Sequence, residues 1–128
     1  MIESAFARRF TGEWVRAWNQ HDIDAVLTQC SEDIELIVPH GASAGTPLRG
    51  KRRVGAHWAR VLTPPSLTVS SGLSVEPITI AVGVDSVTLI YEDRGRQGAQ
   101  TFHFDRDGLV TQAVMFRRAR SVPGLGDA

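Results

Sequence analysis

The sequence predicts an α+β fold in which a long amphipathic N-terminal helix packs inside a cone-shaped, curved sheet that is mixed but mostly antiparallel. Helical periodicity, with three helices expected in all, occupies the first half of the chain, and short apolar strands with turns occupy the second half. Helices followed by a run of strands are typical of helices packed on one face of such a sheet. The 128 residues suffice for one domain, which we place at 1–120 with a flexible tail at 121–128.

The first helix is predicted by aromatic side chains at every fourth position, namely Phe6, Phe10, Trp14 and Trp18. At 3.6 residues per turn, this spacing places the rings along one face of a helix, and charged residues occupy the opposite face. Such a stripe is usually a core-packing face. The alternative is that Trp14 and Trp18 also form one wall of a pocket.

A second helix is predicted to begin at Ile23, because Asp22 can accept backbone N–H bonds as its N-cap. We expect this helix to run to Cys30, and the polar residues at 31–33 to end it. A strand then follows over Ile34–Val38, in which alternation directs the even-numbered side chains toward the core.

A loop of small residues over His40–Arg49 leads into a third helix at Lys51–Leu62. Its apolar spacing places His57 and Trp58 on the buried face. The basic residues on its other faces indicate a solvated surface, because the whole chain carries no net charge.

Proline residues end the third helix, and strand-forming residues dominate the rest of the chain. The short segments between the later strands carry Gly or Asp at tight-turn spacing, which predicts antiparallel hairpins. We expect Glu76-Pro77 to separate the first two of these strands and 94–98 to separate the third from the fourth. The predicted strands are Leu67–Val75, Ile78–Val82, Ser86–Asp93, Ala99–Asp105 and Leu109–Arg117.

Composition excludes several classes of function. The chain has 14 basic and 14 acidic residues, so nothing attracts it to nucleic acid or to an acidic membrane surface. It contains no apolar stretch long enough to span a bilayer. The single cysteine cannot form an internal disulfide, which favours a cytoplasmic location. Nucleotide-binding and zinc-binding motifs are absent from the sequence, so we expect neither cofactor nor metal.

Two motifs carry a family resemblance: A-W-N-x-H-D-x-D-A at 17–25 and F-x-F-D-x-D-G-x-V at 102–110. With them, the region from Phe10 to Phe116 resembles the SnoaL-like and ketosteroid-isomerase-like members of the nuclear-transport-factor-2-like superfamily. The resemblance implies the cone-shaped fold and a homodimer. It does not imply one activity, because the superfamily includes isomerases, epoxide hydrolases, dehydratases, polyketide cyclases and binding domains.

The resemblance to ketosteroid isomerases can be followed residue by residue. Where those enzymes have a carboxylate base, this chain has Val38, and where they have the two donors of the oxyanion hole, it has Trp14 and Gln100. Valine cannot abstract a proton, although the indole and amide N–H groups can still donate hydrogen bonds. Isomerisation by the usual mechanism is therefore disfavoured. No aspartate is expected at an inward strand position, because Asp93 and the others fall at strand ends or turns.

Two histidines remain as candidates for acid–base chemistry. His40 continues the inward row of the first strand, and His57 lies on the inner face of the third helix, so a pair across a cavity could divide the acid and base roles. The alternative is that His57 is a structural core residue and His40 a solvated loop residue. Arg117 shares a face with Met115 and could anchor an anionic group or form a salt bridge.

Two hypotheses follow for function. One is a module that binds a small, mostly apolar organic ligand without turnover, and the other is a cofactor-independent isomerase, dehydratase or hydrolase in which the histidines act as acid and base. A homodimer is expected to cover the outer sheet face around Thr101, His103 and Val114. Besides the two histidines, the predicted pocket residues are Trp14, Trp18, Val38, Trp58, Tyr91, Gln100, Phe102, Met115 and Arg117.

Overall fold

The computed structural model describes residues 1–39, 44–62 and 74–118. Within these residues the helices are α1 (Ser4–Asn19), α2 (Ile23–Thr28) and α3 (Lys51–Leu62). The strands are β1 (Cys30–Ile37), β2 (Leu48–Arg49), β3 (Glu76–Val82), β4 (Ser86–Asp93), β5 (Arg96–Phe104) and β6 (Val110–Arg117). The predicted α+β fold with its long N-terminal helix is therefore confirmed.

The strands form one curved, open sheet in the order β2-β1-β6-β5-β4-β3. Consecutive strands from β3 to β6 pair antiparallel, as the turn signals predict. Strand β1 instead pairs parallel with β6, which makes the sheet mixed. Because β2 and β3 lie at opposite edges and do not pair with each other, the sheet is not closed into a barrel.

The aromatic face of α1 packs against the inner face of β5. Phe6 and Phe10 meet Phe104 edge-on, with ring centroids 5.1 and 4.8 Å apart. Phe10 and Trp14 meet Phe102 in the same way, at 4.9 and 4.6 Å. Edge-to-face contacts of this kind add to the free energy gained by burying the rings. The stripe is thus the main core contact between the helix and the sheet.

The corner between α1 and α2 is a Schellman motif. Asp22 N donates to Ala17 O, and His21 N donates to Trp18 O, both at 2.9 Å. His21 occupies the left-handed region at φ 58°, where glycine is usual. The Asp22 side chain accepts a hydrogen bond from Ala25 N at 3.1 Å, which confirms its predicted role as the N-cap of α2.

Strand β1 begins at Cys30, earlier than the predicted start at Ile34. Cys30 was expected to end the second helix, but α2 ends at Thr28. Cys30 pairs with Val110 of β6 and Glu35 pairs with Gln112, and the polar residues at 31–33 lie in the register shift between these two pairs. The thiol is buried, and this burial raises its pKa to about 12, so Cys30 packs as a small apolar residue rather than as a nucleophile.

The remaining strand boundaries also differ in part from expectation. Glu76 and Pro77 do not separate two strands but open β3, and a proline is tolerated there because β3 lies at the sheet edge. Strand β5 begins at Arg96, so the turn before it has only two residues, 94 and 95. The predicted strand at Leu67–Val75 and the tail at 121–128 lie largely or wholly outside the described residues.

Candidate functional site

A cavity of about 220 Å³, the inner cavity, lies between α1, the end of α3 and the inner face of β4 to β6. Most of its wall is apolar and includes two indole rings from α1. Two polar side chains, Asp93 and Gln100, also reach it. The lining residues are Trp14, Val15, Trp18, Val61, Val75, Leu89, Tyr91, Asp93, Gln100 and Met115.

A second, wider cavity of about 610 Å³, the outer cleft, lies at the ends of β4, β5 and β6. Three residues, Tyr91, Asp93 and Met115, line both spaces, so the two are neighbours across these side chains. The outer cleft is more polar than the inner cavity. Its lining residues are Pro39, Tyr91, Asp93, Arg94, Arg96, Gln97, Gly98, Met115, Phe116 and Arg117.

Asp93 is the site residue that the sequence prediction missed. The expectation that Asp93 would not face inward is wrong, because Asp93 lines the inner cavity. In β4 the buried side chains are Val87 and Leu89, and alternation continues this inward row through Tyr91 to Asp93. Counting this alternation to the last residue of the strand would have found it.

The Asp93 carboxyl group lies in an environment that disfavours its charge. Its Oδ1 is buried and has no hydrogen-bond partner within residues 1–39, 44–62 and 74–118. Burial raises the pKa of Asp93, and the positive charge of Arg94 opposes this shift. Burial, with a further contribution from Asp93, also raises the pKa of Tyr91. An unpaired oxygen of this kind is available to a ligand.

Gly98 gives the Tyr91 ring its position. The two residues are paired directly across β4 and β5. A Cβ atom on Gly98 would lie 2.7 Å from both Cζ and Oη of Tyr91, closer than real contacts allow. Glycine at this position therefore lets the phenol ring lie over β5 and form the wall shared by the inner cavity and the outer cleft.

Gln100 and Met115 come from neighbouring strands and are paired in register. Gln100 is only 7% exposed although its side chain is polar, and it lines the inner cavity. Its amide offers both a donor and an acceptor to a bound molecule. Met115 supplies a flexible apolar wall at the boundary with the outer cleft.

Other predicted pocket residues lie in the packed core instead. Val38, Trp58 and Phe102 are buried, and none of them is among the residues that line the inner cavity. Trp58 meets Trp14 and Trp18 edge-on, with ring centroids 5.4 and 6.0 Å apart. These residues support the cavity wall from behind and do not reach its surface.

The histidine prediction is not tested by the described residues. His57 is half-buried on α3, makes interactions there, and does not line the inner cavity. His40 lies outside the described residues. His21 lies at the corner between α1 and α2, as expected, and His103 faces Asp85 at 3.8 Å. Arg117 is exposed and lines the outer cleft, on the same face of β6 as Met115.

The described part of the chain contains no group of three or more His, Cys, Asp or Glu side chains that could hold a metal ion. Its helices are also too short or too polar to cross a membrane.

The raised pKa of Asp93 makes the stability of the protein depend on pH. Folding favours the protonated carboxyl group, so stability falls as the pH rises from the ordinary pKa of an aspartate through the raised pKa in the folded state. Asp93→Asn removes the charge. We expect the melting temperature of the variant to exceed that of the wild type by more at about pH 7 than at about pH 3.

Thermal unfolding followed by circular dichroism at several pH values measures this difference. The matched control is Asp107→Asn, in an exposed turn, which is expected to give no gain that grows with pH. A gain for Asp93→Asn that is the same at both ends of the range would contradict the environment described for the carboxyl group.

Comparison with solved structures identifies the fold at high similarity. A SnoaL-like protein of unknown function from Burkholderia thailandensis is 36% identical, with a TM-score of 0.82 over 93% of this chain and 100% of that chain. An NTF2-like protein from Anabaena variabilis is 15% identical, with a TM-score of 0.75 over 94% of this chain and 96% of that one. TerC, co-crystallised with polyporic acid, is 17% identical, with a TM-score of 0.70 over 88% of this chain and 92% of the TerC chain.

No protein of curated function matches the chain. The family model of the SnoaL-like domain matches residues 11–118. This range covers the second half of α1, both edge strands of the sheet and every residue that lines the inner cavity. By this match and by its 36% identity to the SnoaL-like protein from Burkholderia thailandensis, the chain belongs to the SnoaL-like domain family.

Proposed function

We propose that the inner cavity binds a small, mostly apolar organic molecule. The observation that carries this proposal is the composition of the wall, in which indole, phenol and aliphatic groups surround only two polar side chains, Asp93 and Gln100. Small-molecule sites usually combine apolar walls with a few placed polar groups. TerC, a protein with the same fold, was co-crystallised with polyporic acid, which supports the fold as a host for small organic molecules.

The volume constrains the size of the ligand. The inner cavity measures about 220 Å³, below the roughly 300 Å³ at which typical ligand sites begin. A drug-sized molecule does not fit inside it alone. The ligand is therefore either small or extends past Tyr91 and Met115 into the outer cleft.

Calorimetric titration with naphthol tests this proposal, because naphthol has an apolar body and a hydroxyl group that Asp93 or Gln100 can bind. Met115→Trp narrows the boundary between the two spaces and is expected to weaken binding by about tenfold or more. The matched control is Val84→Trp, at a position that is 76% exposed and does not belong to the cavity lining. Equal affinity for the wild type and both variants would overturn the assignment of the cavity.

A second candidate function is proton transfer to or from the bound molecule, and it is favoured by the unpaired, buried Oδ1 of Asp93. An acid with a pKa raised toward the working pH is a better general acid or base than an ordinary surface carboxylate. In this proposal Asp93 removes a proton from carbon next to a ketone, and Gln100 donates a hydrogen bond to the enolate oxygen. The histidine pair of the sequence prediction takes no part in it.

Deuterium exchange at the carbon next to the carbonyl of tetralone, followed by NMR, tests proton transfer directly. Wild-type protein is expected to accelerate the exchange, and Asp93→Asn to slow it by about 100-fold or more, in the range of general acid–base catalysis. His57→Gln is the comparison variant, and a loss confined to it would favour the histidine mechanism over this one.

We also propose that a second copy of the chain covers the outer sheet face. Ile90, Ala99 and Phe116 are paired in register across β4, β5 and β6 and form an apolar row. Thr88, Thr101 and Val114 form the next row, in which the two threonine hydroxyls are hydrogen-bonded at 2.8 Å. Phe116 is 49% exposed in the single chain. Large exposed apolar side chains that lie together on a surface often mark a site of protein–protein contact.

A further inference from the structure

We propose that the natural ligand carries an anionic group, best matched by a carboxylate, and that this group binds the arginines of the outer cleft while the apolar part lies in the inner cavity. The inference deepens the proposed function and rests on it. The arginine rim consists of Arg94, Arg96 and Arg117. It turns a site for apolar molecules into a site for amphipathic acids.

The charges around the outer cleft are unbalanced. Its lining includes the three arginines of the rim and a single acid, Asp93. None of the three arginines forms an ion pair with another residue of the described chain, whereas Arg49 and Lys51 elsewhere pair with Glu35 and Glu32 at 3.0 and 3.7 Å. Guanidinium groups that outnumber the acids around a concave surface attract an anion from solution.

Strand register brings two of these arginines to the same face as the cavity wall. Arg96 is paired with Asp93, and Arg117 is paired with Gly98. Paired residues project from the same face of a sheet, so both arginines emerge on the side of the inner cavity. The space over Gly98, beside Arg117, is occupied by the Tyr91 ring, which forms the wall shared by the inner cavity and the outer cleft.

The inner cavity and the rim are within reach of one ligand. Tyr91, Asp93 and Met115 belong to both linings, so the apolar wall passes directly into the polar one. A ring held against Trp14 and Trp18 can thus extend a substituent past these shared residues. The planar fork of an arginine matches a carboxylate in two parallel hydrogen bonds, so a carboxylate is an anion well suited to the rim.

The backbone at Arg94 is a second, independent indication. Arg94 has φ 54° and is followed by Gly95 at φ 79°, in a two-residue hairpin between Asp93 and Arg96. Turns of this shape favour Asn or Gly at the first position, because the Cβ atom of most L residues comes too close to the following carbonyl oxygen there. Strained residues are concentrated at ligand-binding positions, where the side chain is needed despite its backbone. At this position, Arg94 projects beside the outer cleft.

A matched pair of probes separates charge from shape. Naphthalene carboxylate and naphthalene carboxamide have nearly the same size, but only the first is an anion. By calorimetric titration at low salt, we expect the wild type to bind the carboxylate at least about tenfold more tightly than the carboxamide. The preference should shrink at about 0.5 M salt, since the rim is exposed and screened.

The double variant Arg94→Asn with Arg117→Gln removes two charges of the rim. We expect it to lose about tenfold or more in affinity for the carboxylate, keep its affinity for the carboxamide, and melt no lower than the wild type because asparagine suits the turn. The control Arg52→Gln removes a charge from exposed α3 and should change neither affinity.

The outcomes distinguish this inference from the function on which it rests. If the wild type binds carboxylate and carboxamide equally, or if the double variant weakens both by the same factor, the anionic ligand is overturned while cavity binding stands. If neither probe binds the wild type, both the inference and the proposed function are overturned.

Discussion

Replacing Phe102 by alanine is expected to lower the free energy of unfolding by about 3–5 kcal/mol, the range found when a large buried aromatic side chain is truncated. Phe102 is fully buried, with 0% exposure, and its ring contacts Phe10 and Trp14 of α1 at centroid distances of 4.9 and 4.6 Å. Truncation therefore removes the contact between the helix and the centre of the sheet. Urea unfolding with linear extrapolation measures the change.

The control for this prediction is Val84→Ala, at a position 76% exposed, which should change the free energy of unfolding by no more than about 0.5 kcal/mol. Phe102→Leu keeps more of the side-chain volume and should lie between the two. A loss below about 1 kcal/mol for Phe102→Ala would mean that the core is held mainly by other contacts.

Phe116→Arg is expected to dissociate the proposed dimer. In the dimer its guanidinium would be buried against the apolar row of Ile90 and Ala99 without a partner. An uncompensated buried charge costs about 3–5 kcal/mol, which corresponds to an increase of at least about 100-fold in the dissociation constant. Sedimentation equilibrium at micromolar concentration measures it.

Val84→Arg provides the matched control for the dimer, because Val84 is exposed in the turn between β3 and β4, outside the apolar row. It should leave the dimer intact. A monomeric wild type at the same concentration would contradict the proposed interface, whatever the behaviour of the variants.

Local patterns predicted those elements whose signals lie within their own sequence. Helix α3 spans Lys51–Leu62, as the apolar spacing predicts, and β4 spans Ser86–Asp93, as alternation and its flanking turns predict. The helix-to-helix corner was also readable, because Asp22 is a strong N-cap residue. Each of these depends on neighbours a few residues away.

Elements whose boundaries depend on distant partners were less predictable. The residues after Cys30 are polar and look like a helix end, but parallel pairs with β6 on both sides of them, at Cys30 and Glu35, include them in β1. Glu76 and Pro77 look like a turn, but an edge position in the sheet accommodates them as part of β3. Tertiary pairing overrides local preference in both cases.

The candidate site was predicted in part for a similar reason. The aromatic stripe and strand alternation place Trp14, Trp18, Tyr91, Gln100 and Met115 toward the interior, and these five line the inner cavity. Alternation shows which way a side chain points, but it does not show where close packing ends and open space begins. Hence the packed residues Val38, Trp58 and Phe102 could not be separated from the cavity wall by sequence alone.

The edge-to-face contacts between α1 and β5 also bear on the order in which the chain folds. They join rings from the first helix to rings near the C-terminal end of the described chain. Closing so long a loop is entropically unfavourable until the hairpins of β4, β5 and β6 are formed, since those hairpins close through short turns. During synthesis, the apolar face of α1 therefore stays without its partner until β5 has left the ribosome. In that interval the exposed aromatic side chains make the nascent chain prone to aggregation.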